Sequence, residues 1–214
     1  MSIPRLLDHV VIAGPDLADL VNWFAERTGV TAAPGGVHPR GTANALIALT
    51  IGGLRGPQYI ELIGPDPGSE LIPDVFGIAD LDRPRIVTYA IRPDDIDATV
   101  ARARNNGYDP GDVTDLSRRT PDGDLLEWRL ARGDGSRPDV PFLIDWGHTP
   151  HPGLADVPAL ELLSLQRIEP DPEPTHRAVA AHGLEASAVA DTITGSPAGF
   201  RLELQHPDGT HITL

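Results

Sequence analysis

The sequence lacks cysteine and is poor in methionine, aromatic residues and positive charge. Without a single cysteine in 214 residues, it can form no disulfide and offers no thiolate nucleophile or thiolate metal ligand. A metal ion would therefore be held by His, Asp, Glu, water or substrate. Seventeen Lys and Arg against 31 Asp and Glu leave a net charge of −14, which disfavours nucleic acids and anionic membranes as partners.

Long apolar runs are also missing. No segment approaches the roughly 20 apolar residues that a membrane-spanning helix needs, and residues 1–5 have neither the basic start nor the apolar core of an export signal. We therefore expect a cytoplasmic protein with no membrane segment. The sequence contains no phosphate-binding loop, no nucleophile elbow and no dinucleotide fingerprint, so no nucleotide cofactor is expected.

One pattern of residues is present three times. Each copy contains an apolar strand, a helix that starts at an aspartate, a glycine followed by a hydrophobic residue at the helix end, and further strands. The aspartates are Asp16, Asp95 and Asp171, and the closing glycines Gly29, Gly107 and Gly183 follow 13, 12 and 12 residues later. A period of 76 to 79 residues predicts an internal repeat of βαβββ units.

The predicted fold class is α+β, with two βαβββ units that pair into a curved-sheet cup and a third unit at the C-terminus. We place the first unit at residues 1–64, a linker rich in Pro and Asp at 65–84, the second unit at 85–150 and the third at 151–214. Two units close the cup because one face of each sheet must be buried. The third unit must then pack on this pair or across a homodimer interface.

The first unit carries the candidate catalytic pair, His9 and Glu61. The first and last strands of such a unit lie side by side, so both side chains are expected to face the cup, where they would also serve as metal ligands. A carboxylate within the apolar run at residues 59–63 needs a partner if it is buried. Asp145, matched to Glu61 in the second unit, is the third candidate metal ligand. For His9, the alternative is a core histidine with its hydrogen bonds satisfied internally.

Candidate substrate-binding residues come from both units. His38, Thr42 and Asn44 lie where a loop enters a strand, and their polar groups suit a carbonyl or carboxylate. Trp146 would supply an apolar surface. Trp128 and Arg129 alternate on one strand, so only one of them faces inward. An inward Arg129 would suit an anionic substrate, and an inward Trp128 would suit a flat or aromatic one.

Five short motifs together carry a family resemblance. They are Leu-Asp-His-Val-Val at 7–11, the glycine-containing segment at 35–46, Tyr-Ile-Glu-Leu-Ile at 59–63, Pro-Asp-Gly at 121–123 before Trp-Arg-Leu at 128–130, and Phe-Leu-Ile-Asp-Trp at 142–146. In this combination the chain resembles the glyoxalase-like branch of the vicinal oxygen chelate superfamily. The same cup serves many reactions in that superfamily, so the resemblance is more specific for the fold than for a function.

The resemblance implies a divalent ion held at equivalent strand positions of the paired units, with His or Gln in the first strand and Glu in the last. His9 and Glu61 match this pattern, whereas Thr88 stands at the second unit's first position and Asp145 is shorter than Glu. The implied function is a metal-dependent lyase, isomerase or dioxygenase that acts on a small oxygenated substrate. Because the superfamily also contains metal-free drug-binding proteins, the alternative is a protein that binds a hydrophobic or aromatic compound.

Overall fold

A computed structural model describes residues 3–120 and 122–214. Over these residues it contains three α-helices and 12 strands. The helices are α1 (Leu17–Thr28), α2 (Ile96–Asn105) and α3 (Glu173–Ala181). The strands are β1 (Leu7–Ala13), β2 (Ala33–His38), β3 (Thr42–Ile51), β4 (Leu54–Pro65), β5 (Arg85–Ile91), β6 (Val113–Arg119), β7 (Leu125–Ala131), β8 (Phe142–Asp145), β9 (Ala159–Glu169), β10 (Asp191–Thr194), β11 (Gly199–Gln205) and β12 (His211–Thr213).

The predicted helix starts are confirmed in the first two units. Asp16 and Asp95 adopt extended backbone before α1 and α2, and each side chain accepts a hydrogen bond from a backbone N–H of the first turn at 2.9 Å. Gly29 follows α1 with a φ of 72°, a conformation that favours glycine. Helix α3 starts differently, because Asp171 accepts a hydrogen bond from Glu173 N–H outside a regular cap.

Eight strands from the first two units close into a ring, which confirms the curved sheet. Each unit pairs its first strand in parallel with its last, β1 with β4 and β5 with β8. The units join at two seams, where β1 runs antiparallel to β5 and β2 runs antiparallel to β6. The β2–β6 seam is narrow, with Val37 opposite Arg119. The ring encloses the cup expected from two paired units.

The third unit repeats the order of elements but pairs its strands differently. Its first strand, β9, lies between β11 on one side and β10 on the other, so β9 and β10 form a parallel pair around α3. The beginning of β9 also runs parallel to β3, with Ala159 opposite Ala48. Of the two positions left open by the sequence, the structure therefore shows the third unit packed on the pair within one chain.

Two apolar clusters separate the outside of the ring from its inside. The larger cluster packs the helices and the third unit against the outer face of the sheet, with Phe24, Tyr89 and Leu165 fully buried. The smaller cluster lies inside the ring around Tyr59, Phe142 and Trp146. Alternate residues of one strand enter different clusters, as Val10 and Val11 do, because strand side chains point to opposite faces.

Two features of the first unit depend on pairing between strands. Strand β2 (Ala33–His38) contains Pro34, Gly35 and Gly36, which disfavour a strand, and pairing along β3 imposes it. The connection from β3 to β4 is short, because Ile51 pairs with Leu54 and only Gly52 and Gly53, both with positive φ, lie between them. In the motif at 121–123, Pro121 lies outside the described residues.

Within the described ranges, no helix is long and apolar enough to cross a membrane. The segment between β4 and β5, expected to be a linker, contains a short 3₁₀ helix, Ile78–Asp80. Val75 and Phe76 of this segment are part of the lining of the cup. Phe76 has a φ of 54°, a conformation that non-glycine residues rarely adopt. This segment therefore helps to form the site that the cup encloses.

Candidate active site

The inside of the ring contains a cavity of about 410 Å³. This volume is within the usual range for small-molecule sites. His9, Asn44 and Glu61 from the first unit form one wall, and Trp128 and Phe142 from the second unit lie on the other. The cavity therefore joins acid–base groups on one side to an apolar surface on the other.

His9 owes its orientation to Asp8, the residue before it in β1. The Nδ1 atom of His9 donates to Oδ1 of Asp8 at 2.7 Å, so Nε2 faces the cavity as an acceptor. The β1–β5 ladder has a bulge between Leu7 and His9. Bulges redirect side chains, and this one lies where two consecutive residues make functional contacts.

Asp8 is the centre of a buried hydrogen-bond network. Its carboxylate also accepts from His151 Nε2 at 2.8 Å and from Trp146 Nε1 at 3.2 Å. Because His151 Nδ1 accepts from the N–H of Gly153, its Nε2 carries the hydrogen. Burial alone would raise the pKa of Asp8, but the hydrogen bonds from His151 and His9 outweigh it and hold that pKa well below its ordinary value. Asp8 is therefore a fixed negative charge behind His9.

Glu61 lies opposite the free nitrogen of His9. Its Oε2 is 3.9 Å from His9 Nε2, and its Oε1 accepts from Asn44 Nδ2 at 2.6 Å. Asn44 reaches Glu61 past Gly35, where a Cβ would come within 2.3 Å of Asn44 Oδ1. A glycine at position 35 therefore leaves room for the amide that orients the carboxylate.

His38 and Thr42 form a second polar pair in the cavity. His38 Nδ1 lies 2.9 Å from Thr42 Oγ1, within a hydrogen bond, and the imidazole contacts the edge of Trp128. Burial lowers the pKa of His38, and the negative charge of Glu61 opposes part of this effect. The neutral form that burial favours can both donate and accept a hydrogen bond.

Aromatic rings surround the acid–base pair. Tyr59 stacks on the His9 ring with centroids 4.6 Å apart, and Phe142 meets the same ring edge-on at 5.4 Å. Trp128 and Trp146 lie next to each other at 5.4 Å. Burial raises the pKa of Tyr59 well above its ordinary value, with further contributions from Glu61 and Asp8, so its hydroxyl stays protonated. These rings give the cavity a largely apolar, aromatic lining.

The structure does not bring Arg129 and Asp145 into the cavity. They lie opposite each other on β7 and β8, and Arg129 donates to Asp145 and to Asp97 at 2.8 Å on the outer face. The hydrogen bonds from the Arg129 side chain and the Gly147 N–H hold the pKa of Asp145 below its ordinary value. Trp128 is thus the inward residue of the pair Trp128 and Arg129. Asp145 lies on the opposite face of β8 from Phe142, Ile144 and Trp146, so the predicted metal ligand does not meet His9 and Glu61.

The strand ladders show why the match between Glu61 and Asp145 was wrong. Val11 pairs with Glu61 in the first unit, and its repeat equivalent, Ala90, pairs with Phe142 in the second. The offset between units is 79 residues at the first strand and 81 at the last. In the second unit, the Phe142 ring therefore occupies the position that the Glu61 carboxylate occupies in the first unit.

The donor groups of the cavity do not fit a resident divalent ion. Among residues 3–120 and 122–214, no group of three or more His, Asp or Glu side chains is arranged so that it could hold one. His9 and Glu61 supply two donors, whereas Phe142 supplies none and Arg118 adds a positive charge to the cavity wall. The ligand set implied by the resemblance is therefore incomplete.

Several residues of the site escaped the sequence prediction. Asp8 stands beside His9 in an apolar strand, and a buried charge there is itself a signal of a function or a partner. His151 lies 143 residues from Asp8, and no local pattern connects them. Arg118 and Arg132 line the cavity from strands and turns whose charges resemble those of an ordinary exposed hairpin.

Comparisons with known proteins agree with this architecture. A family model described as a glyoxalase-like domain matches residues 7–183. A hypothetical protein from Staphylococcus aureus has a similar fold, with a TM-score of 0.66 and 12% identity over 97% of both chains. Methylmalonyl-CoA epimerase from Mycobacterium tuberculosis is 22% identical over 67% of this chain and 88% of its own, with a TM-score of 0.39. No curated protein matches the chain.

Proposed function

We propose that this chain, which belongs to the glyoxalase-like domain family, is an enzyme. Its proposed reaction is the transfer of a proton on a small oxygenated substrate. The observation that carries the proposal is the pair formed by His9 Nε2 and Glu61 Oε2, 3.9 Å apart in the wall of the cavity. A carboxylate and an imidazole facing one cavity are the groups that most often perform general acid–base catalysis.

The surroundings prepare each group for a different task. Asn44 donates to Oε1 of Glu61, which leaves Oε2 free to accept a proton. Asp8 fixes the tautomer of His9 and would stabilise the imidazolium formed if Nε2 takes a proton, as the aspartate of a hydrolytic triad does. The substrate would therefore lie between Oε2 and Nε2, in reach of both.

The simplest reaction consistent with this pair is proton transfer next to a carbonyl. Glu61 Oε2 removes a hydrogen from the carbon, so the C–H bond breaks and an O–H bond forms on the carboxylate. The C–H electron pair forms a C=C bond while the carbonyl π pair moves onto the oxygen. Return of the proton from Glu61 to that carbon re-forms the C=O bond and gives back the substrate or, when it arrives on the other face, the epimer. Because His9 and Glu61 are themselves buried, electrostatic stabilisation of the intermediate anion is stronger there than in water.

Metal dependence is not part of this proposal. The sequence resemblance implied a divalent ion, and His9 and Glu61 would be its ligands, but two donors beside an arginine are a weak set. Metal content of protein purified without chelator provides the check. A stoichiometric ion that is lost in both His9→Ala and Glu61→Ala would restore the metal-dependent mechanism.

A binding protein without chemistry is the second candidate. The aromatic rings of Tyr59, Trp128 and Phe142 in the cavity lining favour it, because they would hold an apolar compound whether or not a proton moves. The two candidates differ in the consequence of losing Glu61. An enzyme loses its reaction when Glu61 is replaced, whereas a binding protein has none to lose.

The proposal is tested by hydrogen exchange with solvent. A panel of 2-oxo acids, 2-hydroxy acids and aryl ketones in D₂O is followed by proton NMR, with and without enzyme. We expect enzyme-dependent loss of an α-hydrogen signal in at least one compound, and a rate about 10² to 10⁴ times lower in Glu61→Gln. Glu127→Gln, on the exposed outer face of β7, is the matched control. No exchange in any compound, or an unchanged rate in Glu61→Gln, would contradict the proposal.

A further inference from the structure

Two arginines line the cavity without an acidic partner. Arg118 is only 5% exposed, and Arg132 is half-buried with its guanidinium 4.7 Å from the centre of the Phe76 ring. In the described part of the chain neither forms an ion pair, whereas Arg40, Arg104, Arg129, Arg137 and Arg167 all do. The cavity therefore holds two buried or half-buried cations that lack a carboxylate partner.

The charge balance inside the cavity favours an incoming anion. Glu61 is the only buried carboxylate among its described lining residues, and it is bound to Asn44 and faces His9. Asp112 also lines the cavity, but it is exposed and accepts from Arg104 at 2.7 Å. Two guanidinium groups thus line the cavity together with one carboxylate, Glu61, in a protein with a net charge of −14, and the buried carboxylate beside His9, Asp8, is occupied by hydrogen bonds from His9, His151 and Trp146. A buried cation without a counter-ion is costly, so a ligand anion is the natural partner.

Two glycines of β2, Gly35 and Gly36, leave space for the Arg118 side chain in the cavity wall. The Arg118 side chain donates to the carbonyl oxygen of Gly35, which uses one part of the guanidinium. Gly36 has a φ of 149°, and a Cβ there would come within 2.7 Å of Nη1 of Arg118. Because arginine has five N–H donors in a planar fork, donors remain for two oxygens of a carboxylate.

We propose, on the basis of the proposed function, that the substrate is a small organic acid whose carboxylate binds Arg118 and whose flat apolar body packs on Trp128 and Phe142. Arg132, nearer to Phe76 and the opening, attracts the anion and completes its neutralisation. Arg118 is close enough to Glu61 for the negative charge of that carboxylate to act on it. The bound acid would therefore lie beside the proton-transfer pair.

A purely structural role for Arg118 gives different expectations. Its bond to Gly35 ties β6 to β2 at the narrow seam of the ring. If that were its only role, Arg118→Gln would lower the melting temperature and leave any preference for anions unchanged. Measuring stability and ligand preference on the same variants separates the two roles.

The test compares phenylacetate with phenylacetamide, which has a similar shape and no charge. Titration calorimetry on the full chain should show the acid binding at least about tenfold more tightly than the amide. Arg118→Gln and Arg132→Gln should each reduce this preference, and Arg118→Lys should restore it only in part because lysine lacks the fork. Arg119→Gln, an exposed neighbour whose side chain bonds to Gly123, should leave it unchanged.

The outcomes also separate this inference from the proposed function. Equal binding of acid and amide, no binding of the acid, or a preference that survives in both Arg118→Gln and Arg132→Gln would overturn the carboxylate site. Glu61→Gln should still bind phenylacetate, because the inferred site does not use Glu61 as a ligand. If the acid binds through Arg118 but no compound exchanges hydrogen, the site stands and the proton-transfer function fails.

Discussion

The two halves of the cup have the same strand order but different inner walls. The first unit presents His9, Asn44 and Glu61, and the second presents Trp128 and Phe142 at the facing positions. The hydrogen-bonded groups that could move a proton therefore come from one unit, and much of the apolar surface that could hold a substrate comes from the other. A repeated fold does not require repeated chemistry, because inward positions are few and each can change without altering the strand pairing.

The two walls are joined by one buried network. Asp8 belongs to the first unit, Trp146 follows β8 of the second unit, and His151 lies in the segment before β9. Their hydrogen bonds meet on a single carboxylate. The relative position of the two walls thus depends partly on Asp8, as does the orientation of His9.

Phe142→Glu would make the walls more alike and should have the largest effect. It places a carboxylate at the second unit's equivalent of Glu61, so without metal we expect a loss of about 3 to 5 kcal/mol in unfolding free energy. With His9 and Glu61 it supplies a third donor, so Mn²⁺ should stabilise the variant more than the wild type. Urea unfolding with and without 1 mM Mn²⁺ measures both effects.

Phe142→Leu is the control for this variant, because it removes the ring without adding a charge. It should lose stability and gain no response to Mn²⁺. If Mn²⁺ stabilises Phe142→Glu no more than wild type, the two walls do not face each other as the ladder register indicates.

Asp8→Asn would uncouple the walls and should lower the free energy of unfolding by about 3 kcal/mol near neutral pH. The pKa of Asp8 is depressed in the folded protein, so its stabilisation is present above its unfolded value of about 3.9 and is lost as pH falls below about 4. The difference between wild type and Asp8→Asn should therefore be full at pH 5 to 7 and shrink in acid. Urea unfolding at several pH values measures it.

Asp95→Asn is a matched control, because Asp95 is an exposed helix cap and asparagine caps as well as aspartate. Its effect should stay below about 0.5 kcal/mol. An equal stability difference for Asp8→Asn at pH 3 and pH 7 would mean that the buried charge does not stabilise the fold.

Local signals were sufficient to predict much of the fold. The aspartate caps, the closing glycines and the apolar first strands depend on neighbouring residues, so the sequence alone locates α1, α2, β1 and β5. Strand β2 contains Pro34 and two glycines and exists because β3 pairs with it. The strand order of the third unit depends in the same way on contacts far apart in the chain.

From the sequence, only the part of the site that depends on the parallel pairing of the first and last strands could be predicted. That pairing brings His9 and Glu61 together, as expected from the unit's order. Asp145 was misplaced because it lies 84 residues after Glu61, whereas the ladders set the offset of the last strands at 81, and a difference of three residues puts Asp145 on the opposite face of β8. Asp8 with His151, and Arg118 with Gly35, are long-range contacts that no spacing in the sequence indicates.

The smallest expected effect compares two neighbours on the second wall. Trp128→Leu removes an aromatic surface from the cavity and should weaken phenylacetate binding about tenfold, with little change in the preference for acid over amide. Arg129→Gln, one residue along on the outer face, should leave binding unchanged and have little effect on the free energy of unfolding, because its ion pairs are exposed. Calorimetric titration of both variants provides the measurement. Weaker binding in Arg129→Gln than in Trp128→Leu would reverse the assigned faces of β7 and place the anion site on the outside of the cup.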